Sequence, residues 1–159
     1  MKITILTVGK LKEKFFREAV AEYCKRLSKY CKLEILEVAD EKTPEKASTA
    51  EEEQIKEREG ARLLKQIPES AYVLALAIDD AQMDSVSFSR KIENLGMTGK
   101  SHLIFLIGGS LGLADSVLLR ADEKISFSKM TFPHQLMRVI LLEQIYRGYR
   151  IMKGEPYHK

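Results

Sequence analysis

Arg138 is a cation that stands where the surrounding pattern calls for an apolar side chain. Taking about 100° per residue, the apolar residues of 138–152 share one broad helical face, and Arg138 projects from its middle. A guanidinium is seldom buried without a partner. One interpretation is that Arg138 reaches solvent past the end of the helix. We favour a second interpretation, in which it faces a site that holds an anion or a polar substrate.

A glycine-rich turn, Gly108-Gly109-Ser110-Leu111-Gly112, suggests a ligand site. It follows the apolar run 102–107, which is typical of a strand buried on both faces of a parallel sheet. Glycine allows positive φ and close backbone approach, and ligands of open α/β sheets bind beyond the carboxyl ends of the strands. The turn therefore favours a bound ligand, although a plain strand-to-helix turn would also use glycine.

Other ligand-binding patterns are absent or incomplete. Gly9 stands alone after the first apolar run, where a dinucleotide fold would carry three glycines. Residues 98–101 imitate the end of a phosphate-binding loop, but they precede a strand instead of following one. The three histidines are isolated in sequence, and Cys24 and Cys31 lack metal-ligand spacing. We therefore predict no metal site and two reduced thiols.

Alternating strands and helices must position these residues. Strand-like runs fall at 2–8, 33–38, 72–78, 102–107 and 124–127, and helical patterns at 11–27, 41–66, 85–95, 113–120 and 134–152. This alternation indicates an α/β fold with a mostly parallel sheet and helices on both faces. A chain of 159 residues has room for one domain, 1–159. The helix over 41–66 has few apolar residues and a capping box at Ser48–Glu51 or Thr49–Glu52, so we expect it to lie outermost.

Charge is unevenly distributed along the chain. Lys and Arg outnumber acidic residues by nine to five in 1–39 and by eight to four in 120–159, whereas acids prevail by fourteen to nine in 40–119. If the two ends meet, they form a positive face suited to phosphates, although charged runs are usually solvated faces. No apolar run approaches the length of a membrane span. We expect a cytoplasmic protein with no membrane partner.

Four motifs carry a resemblance to a known family. They are the turn 107–112 (IGGSLG), the tract 131–138 (TFPHQLMR), the trio Glu143, Tyr146 and Arg147, and the ending 156–159 (PYHK). Together they closely resemble the RlmH family, which are knotted, SPOUT-class methyltransferases acting on a pseudouridine of large-subunit ribosomal RNA. The resemblance covers the whole chain, and its TxPHxLxRxxxxE pattern with the PYHK ending is the specific part.

The resemblance implies a deep trefoil knot in the C-terminal half, a homodimer, and S-adenosylmethionine bound bent inside the knot. It carries the family's cofactor positions onto three predicted strand exits of this sequence. They are Leu76, Gly108, Phe127, Ser128, Lys129, Met130, Thr131 and Phe132. Many other knotted methyltransferases have an acidic residue in the glycine turn, where this chain has Leu111. A polar cofactor contact from that position is therefore not predicted.

The reaction that the resemblance implies is methylation of N3 of pseudouridine 1915 in 23S ribosomal RNA within the assembled ribosome. The acceptor is a weak acid, so a cation should stabilise its anion and a base must take its proton. We predict Arg138 as electrostatic stabiliser or phosphate clamp, His134 and His158 as candidates for proton handling, and Tyr157 as a stacking or hydrogen-bonding partner. Alternatively, His134 caps the helix start, and Tyr157 and His158 belong to a frayed tail.

Two other functions remain open at this point. One is a non-catalytic factor of the same fold that binds RNA or the ribosome. The other is a knotted methyltransferase that acts on transfer RNA. Binding of S-adenosylmethionine separates the first from an enzyme, and the modified nucleoside separates the second.

Overall fold

The computed structural model describes residues 1–159, in which five strands alternate with five helices. The strands are β1 (Lys2–Val8), β2 (Lys32–Val38), β3 (Tyr72–Leu76), β4 (His102–Ile107) and β5 (Glu123–Ile125). The helices are α1 (Lys14–Leu27), α2 (Thr49–Lys65), α3 (Ser85–Met97), α4 (Asp115–Arg120) and α5 (His134–Met152).

The strands form one sheet in the order β2-β1-β4-β3-β5, and all four pairings are parallel. Because all strands point the same way, their carboxyl ends and the loops that follow them lie along one edge. The side chains of β1 and β4 are almost wholly buried, as expected for central parallel strands with helices on both faces. The predicted α/β fold with a parallel sheet is confirmed.

Two hydrophobic cores lie on opposite faces of this sheet. The larger contains buried residues of α1, α3 and α5, among them Leu27, Phe88 and Leu141. The smaller contains Leu63 of α2 and Val117 of α4. Helices therefore cover both faces, and α5, which carries the candidate catalytic residues His134 and Arg138, packs on the face that it shares with α1 and α3. No helix combines the length and the apolarity needed to cross a membrane.

The helix predicted over 41–66 begins later than expected. It starts at Thr49, where the side chain of Ser48 accepts a bond from the amide of Glu51 at 3.1 Å and the carboxylate of Glu51 accepts one from the amide of Ser48 at 3.4 Å. This capping box fixes the start because it satisfies two amides that the helix itself leaves unpaired.

Helix α2 packs closely against α4. A Cβ on Gly60 of α2 would lie 2.9 Å from Cγ2 of Val117 of α4, so only glycine allows this approach.

The other boundaries differ by a few residues. The third strand ends at Leu76 instead of residue 78, the fifth covers 123–125 instead of 124–127, and α4 begins at Asp115. Beyond Leu76 the regular ladder gives way to isolated backbone bonds, such as that from the amide of Ser126 to the carbonyl of Ala81 at 3.2 Å, and to side-chain contacts. The hydroxyl of Ser126 lies 3.0 Å from the carbonyl oxygens of both Ile78 and Ser128. The segments that follow β3 and β5 are therefore ordered loops at the carboxyl edge of the sheet and not extensions of the strands.

Candidate active site

A cavity of about 830 Å³ lies at the carboxyl ends of β3, β4 and β5, within the size range of small-molecule sites. We call it the strand-exit cavity; its walls come mainly from 76–79, 107–113 and 125–134. Seven of the eight predicted cofactor positions line it, and the eighth, Lys129, does not. The seven are Leu76, Gly108, Phe127, Ser128, Met130, Thr131 and Phe132.

The glycine turn forms one wall of this cavity and closes on itself. The amide of Gly112 donates to the carbonyl of Gly109 at 3.1 Å, and Gly112 has a φ of +88°. A Cβ on Gly108 would lie 2.7 Å from the carbonyl carbon of Gly112, which is closer than side chains approach backbone. The turn therefore needs glycine for its own geometry, as a plain strand-to-helix turn does, and it also lines a cavity; the bound ligand stays a prediction.

We expect Gly108→Ala to weaken cofactor binding by about tenfold or more, roughly 1.4 kcal/mol, because the added methyl group would push the turn out of shape. Isothermal titration with S-adenosylmethionine measures this loss. Gly96→Ala is the matched control, since a Cβ there meets only the flexible end of Met1, at 3.0 Å. Equal affinities of the Gly108 variant and the wild type would exclude a close approach of ligand and turn.

The loop 126–133 is held by local bonds. The amide of Met130 donates to the hydroxyl of Ser128 at 3.0 Å, and the ring of Phe127 meets that of Phe88 edge to face, with centroids 5.8 Å apart. Met130 is nevertheless 73% exposed. The cavity wall is thus held by contacts within the chain, and it presents backbone amides and carbonyls between apolar side chains.

His134 is the first residue of α5, and its half-buried side chain lines the strand-exit cavity. It makes no side-chain hydrogen bond, so the alternative that it caps the helix is wrong. Burial lowers the pKa of His134, and the positive charges of Arg138 and Lys12 lower it further, against the opposing effect of Asp40. The imidazole is therefore neutral at neutral pH and can accept a proton.

Arg138 is 1% exposed and lines neither this cavity nor the one described below. Its Nη1 donates to Oε2 of Glu37, at the end of β2, over 2.5 Å, and its Nη2 donates to the carbonyl of Gly9 at 3.2 Å. Its Nε has no partner. The guanidinium is enclosed in an ion pair that ties α5 to the ends of β1 and β2. The interpretation that Arg138 reaches solvent past the helix end is therefore wrong, and so is the favoured one that it faces a ligand site, because its partner is a carboxylate of the chain itself.

The C-terminal tail is docked on α5. The ring of Tyr157 meets that of Tyr146 edge to face at 5.0 Å, and its hydroxyl donates to Oε1 of Glu143 at 3.2 Å. The guanidinium of Arg147 lies 4.7 Å from the centroid of the Tyr157 ring and 3.2 Å from Nδ1 of His158. Burial, followed by the charge of Glu143, raises the pKa of Tyr157. The alternative of a frayed tail is wrong for these two residues.

His158 lines a second cavity of about 510 Å³, which we call the tail cavity. Its other lining residues are Met83, Asp84, Ser85, Val86, Phe88, Phe127, Phe132, Ile140 and Gln144. Phe127 and Phe132 also line the strand-exit cavity, so these two rings separate neighbouring spaces. The structure thus brings His134 to one cavity and His158 to the other, whereas Tyr157 packs against the middle of α5 and lines neither.

Two acidic residues near the site have no clear signal in the sequence. Glu37 is separated from Arg138 by 101 positions, and such a pairing leaves no local pattern. Glu59 is 5% exposed, and its Oε1 would lie 3.2 Å from a Cβ on Gly109, on the side of the turn that faces Val8. Burial raises the pKa of Glu59 despite the bond from the amide of Glu41 at 3.0 Å. No group of three or more potential metal ligands occurs in the structure.

Comparisons with known proteins agree with this geometry. The family model described as predicted SPOUT methyltransferase matches residues 1–158. Proteins named ribosomal RNA large subunit methyltransferase H are 61% identical in Clostridium kluyveri, 63% in Bifidobacterium adolescentis and 60% in Enterococcus faecalis. Each alignment spans 159 residues and covers 100% of both chains. The chain belongs to the RlmH family.

Solved structures show that the fold of this RlmH-family chain is shared more widely. A protein described as a probable methylase family protein, from Haemophilus influenzae Rd KW20, superposes with a TM-score of 0.54 at 8% identity, covering 99% of this chain and 70% of the other. TrmJ from Z. mobilis ZM4 superposes with a TM-score of 0.53 at 15% identity, covering 100% and 73%. At these identities the likeness concerns the fold alone.

S-adenosylmethionine is the cofactor of this methyltransferase family, and the strand-exit cavity fits it. Gly108 lets the turn close tightly on Gly112 at the cavity wall, and Leu76 and Phe127 offer apolar surface. The backbone of 126–132 provides the amides and carbonyls that can bind an adenine edge. An RlmH-family cofactor would therefore be held mainly by backbone and apolar side chains of the three strand exits.

Proposed function

We propose that the chain transfers a methyl group from S-adenosylmethionine to N3 of pseudouridine 1915 in 23S ribosomal RNA, within the assembled ribosome. The observation that carries this proposal is the pair of neighbouring cavities that share Phe127 and Phe132. One is lined by loops suited to the methyl donor, and the other, which contains His158, is open to a planar base. The relatives at about 60% identity, by their names, methylate large-subunit ribosomal RNA.

The bound cofactor supplies a methyl carbon on a positively charged sulfur, already activated for displacement. The residues of the chain must therefore align the acceptor with that carbon and manage one proton. We propose that Phe127 and Phe132 set the boundary between donor and acceptor, so that the base enters from the tail cavity.

His134 is the general base of this proposal. The ring of His134 lines the strand-exit cavity, where the methyl donor is proposed to bind. The ring is neutral because burial and the charge of Arg138 lower its pKa. A neutral imidazole can take the N3 proton as the N3–methyl bond forms. Arg138 cannot clamp a phosphate from its enclosed position, so the proposal keeps for it an electrostatic role, that of holding His134 uncharged.

His158 has a different role in the proposal. A guanidinium can only donate, so the contact between Nη1 of Arg147 and Nδ1 of His158 makes Nδ1 the acceptor. In the neutral ring Nε2 then carries the proton and can donate it in a hydrogen bond to a carbonyl oxygen of the base. Such a bond would stabilise the anion that forms when N3 loses its proton. Tyr157 supports this arrangement through Tyr146 and Glu143.

The role of His134 predicts a specific pH dependence. Its folded-state pKa lies below the ordinary value of 6.5, so the proportion of neutral imidazole falls only at pH values lower than for an exposed histidine. Single-turnover methyl transfer measured between pH 5 and pH 7.5 (roughly the range in which histidine titrates) should show an acid limb with a midpoint below 6.5. A midpoint above 6.5 would contradict this role.

The decisive test of the function is nucleoside mass spectrometry of ribosomal and transfer RNA from a strain that lacks the gene. The ribosomes of this strain are analysed before and after incubation with the purified protein. Loss and restoration of N3-methylpseudouridine at 1915 is the expected result. A change in transfer RNA would favour the alternative substrate, and failure to bind S-adenosylmethionine in calorimetry would favour a non-catalytic factor. Equal methylation of a naked RNA hairpin and of ribosomes would contradict recognition of the assembled particle.

We also propose that the active form is a homodimer and that the backbone around the strand-exit cavity is knotted, as the resemblance implies. In a dimer, the tail and the basic start of α1 from one subunit could complete the site of the other. Mixing a His134→Gln variant with a variant lacking the last three residues tests this, because activity returns in the mixture only if the tail acts across subunits. Sedimentation measures the mass of the free protein.

A further inference from the structure

Phe15, in the first turn of α1, exposes 62% of its surface. It is the one aromatic residue among the exposed large hydrophobic side chains. Its ring rests on that of Phe16, with centroids 4.4 Å apart and an interplanar angle of 53°. Phe16 is partly buried, so the ring of Phe15 is held in place with a face open to solvent. A single exposed ring is ordinary by itself, so its meaning depends on the charged residues beside it.

Basic residues flank this ring in the sequence. Within 10–17 there are four basic residues and one acid, Glu13. The side chain of Lys14 is 81% exposed, and its ion pair with Glu18 is long, at 3.7 Å. Nη1 of Arg17 donates to the carbonyl of Lys12 at 2.9 Å, which holds the loop against the start of the helix. We call residues 10–17 the basic aromatic patch.

The patch adjoins the strand-exit cavity. Its loop leaves the carboxyl end of β1, on the same edge of the sheet as the cavity. The amide of Lys12 donates to Oε1 of Gln135 at 3.1 Å, and Gln135 follows the cavity-lining His134. After burial and Arg138, the charge of Lys12 contributes to lowering the pKa of His134, so this ammonium group lies close to the site. The strand-exit cavity shares Phe127 and Phe132 with the tail cavity, through which the base is proposed to enter, so RNA that flanks this base would pass close to the patch.

We propose that the basic aromatic patch binds the single-stranded RNA that flanks the methylated nucleoside, with one base stacked on Phe15 and phosphates bound by Lys10, Lys12 and Lys14. This inference rests on the proposed function. An exposed ring among lysines is typical of surfaces that bind single-stranded nucleic acid, where bases stack on aromatic faces and cations follow the backbone. Protein interfaces, in contrast, are depleted in lysine, so a second protein chain is the poorer match.

Phe15→Ala, Phe15→Leu and Phe15→Trp test the stacking contact. With ribosomes from a strain lacking the modification as substrate, we expect the alanine and leucine variants to raise KM by about 5-fold to 150-fold, the usual contribution of one stacked base, with kcat retained. The tryptophan variant should keep the wild-type KM. Leu119→Ala is the control, because Leu119 is an 86% exposed apolar residue on α4, away from the patch. An unchanged KM in Phe15→Ala, or a leucine variant as good as the tryptophan variant, would overturn the proposal.

A binding measurement separates this inference from the proposed function. The probe is a fluorescein-labelled single-stranded RNA of about twelve nucleotides, within the site sizes usual for single-strand binders, followed by anisotropy. Weaker RNA binding by Phe15→Ala than by the wild type supports the patch even if ribosomes are not methylated. If ribosomes are methylated but Phe15→Ala and the wild type bind the RNA equally well, the patch is overturned and the proposed function stands.

The triple change Lys10→Gln, Lys12→Gln and Lys14→Gln should reduce the slope of log affinity against log salt by about 2, and an unchanged slope contradicts phosphate binding. A shift of Phe15→Ala to a lower sedimenting mass would assign the patch to contact between copies and also overturn the proposal.

Discussion

His134→Gln is expected to lower the rate of methyl transfer by about 10²- to 10⁴-fold, the usual contribution of a general base. Glutamine keeps a polar side chain of similar reach but cannot take up a proton. The side chain lines the strand-exit cavity without any hydrogen bond of its own, so the change breaks no contact within the fold. Single-turnover transfer to ribosomes lacking the modification measures the rate.

Cofactor affinity should stay near the wild-type value in this variant, because the cavity is formed largely by the backbone of the three strand exits. The acid limb of the pH profile should disappear together with the imidazole. His102→Gln is the matched control, since His102 lies at the start of β4, where its Nε2 is 2.8 Å from Oγ1 of Thr4, far from either cavity wall. A His134 variant that turns over at the wild-type rate would exclude the residue as the base.

Breaking the pair between Arg138 and Glu37 is expected to destabilise the fold by about 3–5 kcal/mol, as for other buried ion pairs that lose one partner. The loss of stability should differ between the two single variants. Glu37→Gln leaves a guanidinium that is 1% exposed without its counter-charge, whereas Arg138→Met leaves a carboxylate whose side chain is 33% exposed and can be hydrated. We therefore expect the glutamine variant to have the lower free energy of unfolding, measured in urea.

Arg138→Met also tests the electrostatic role. Removal of the positive charge should raise the pKa of His134 and move the acid limb of the pH profile upwards, while cofactor affinity is kept and turnover falls. The double variant should recover part of the stability lost by Glu37→Gln, because no unpaired charge stays buried. Unchanged turnover in Arg138→Met would remove this residue from the mechanism, and equal unfolding energies of the single variants would contradict the asymmetry.

Much of the fold could be predicted from the sequence because its apolar patterns are strong. The runs that became β1 and β4 are nearly continuous, as buried parallel strands require, and they were located correctly. The start of α2 differs from the prediction because half of the residues in 41–48 are charged, as on the exposed face of a helix. The true start depends on a reciprocal bond between Ser48 and Glu51, and the sequence offered two equivalent candidates for it.

The candidate site was less accessible from the sequence. The family motifs pointed to the loops that follow β3, β4 and β5, and seven of the eight cofactor positions predicted there line the strand-exit cavity. The surroundings of Arg138 could not be predicted, since Glu37 and Gly9 meet it only through the sheet order. Burial of Glu59 beside Gly109 depends likewise on where α2 packs. Local patterns indicate that a side chain is out of place, but only the tertiary structure supplies its partner.

The sheet order has a consequence for biosynthesis. β1 lies between β2 and β4, and Lys2 in β1 is paired with His102 in β4. During translation the first strand must therefore wait until most of the polypeptide has emerged before its second neighbour exists. Contacts between such distant segments slow folding, because a long loop must close before they form. We expect the nascent chain to acquire its native core late, close to its release from the ribosome.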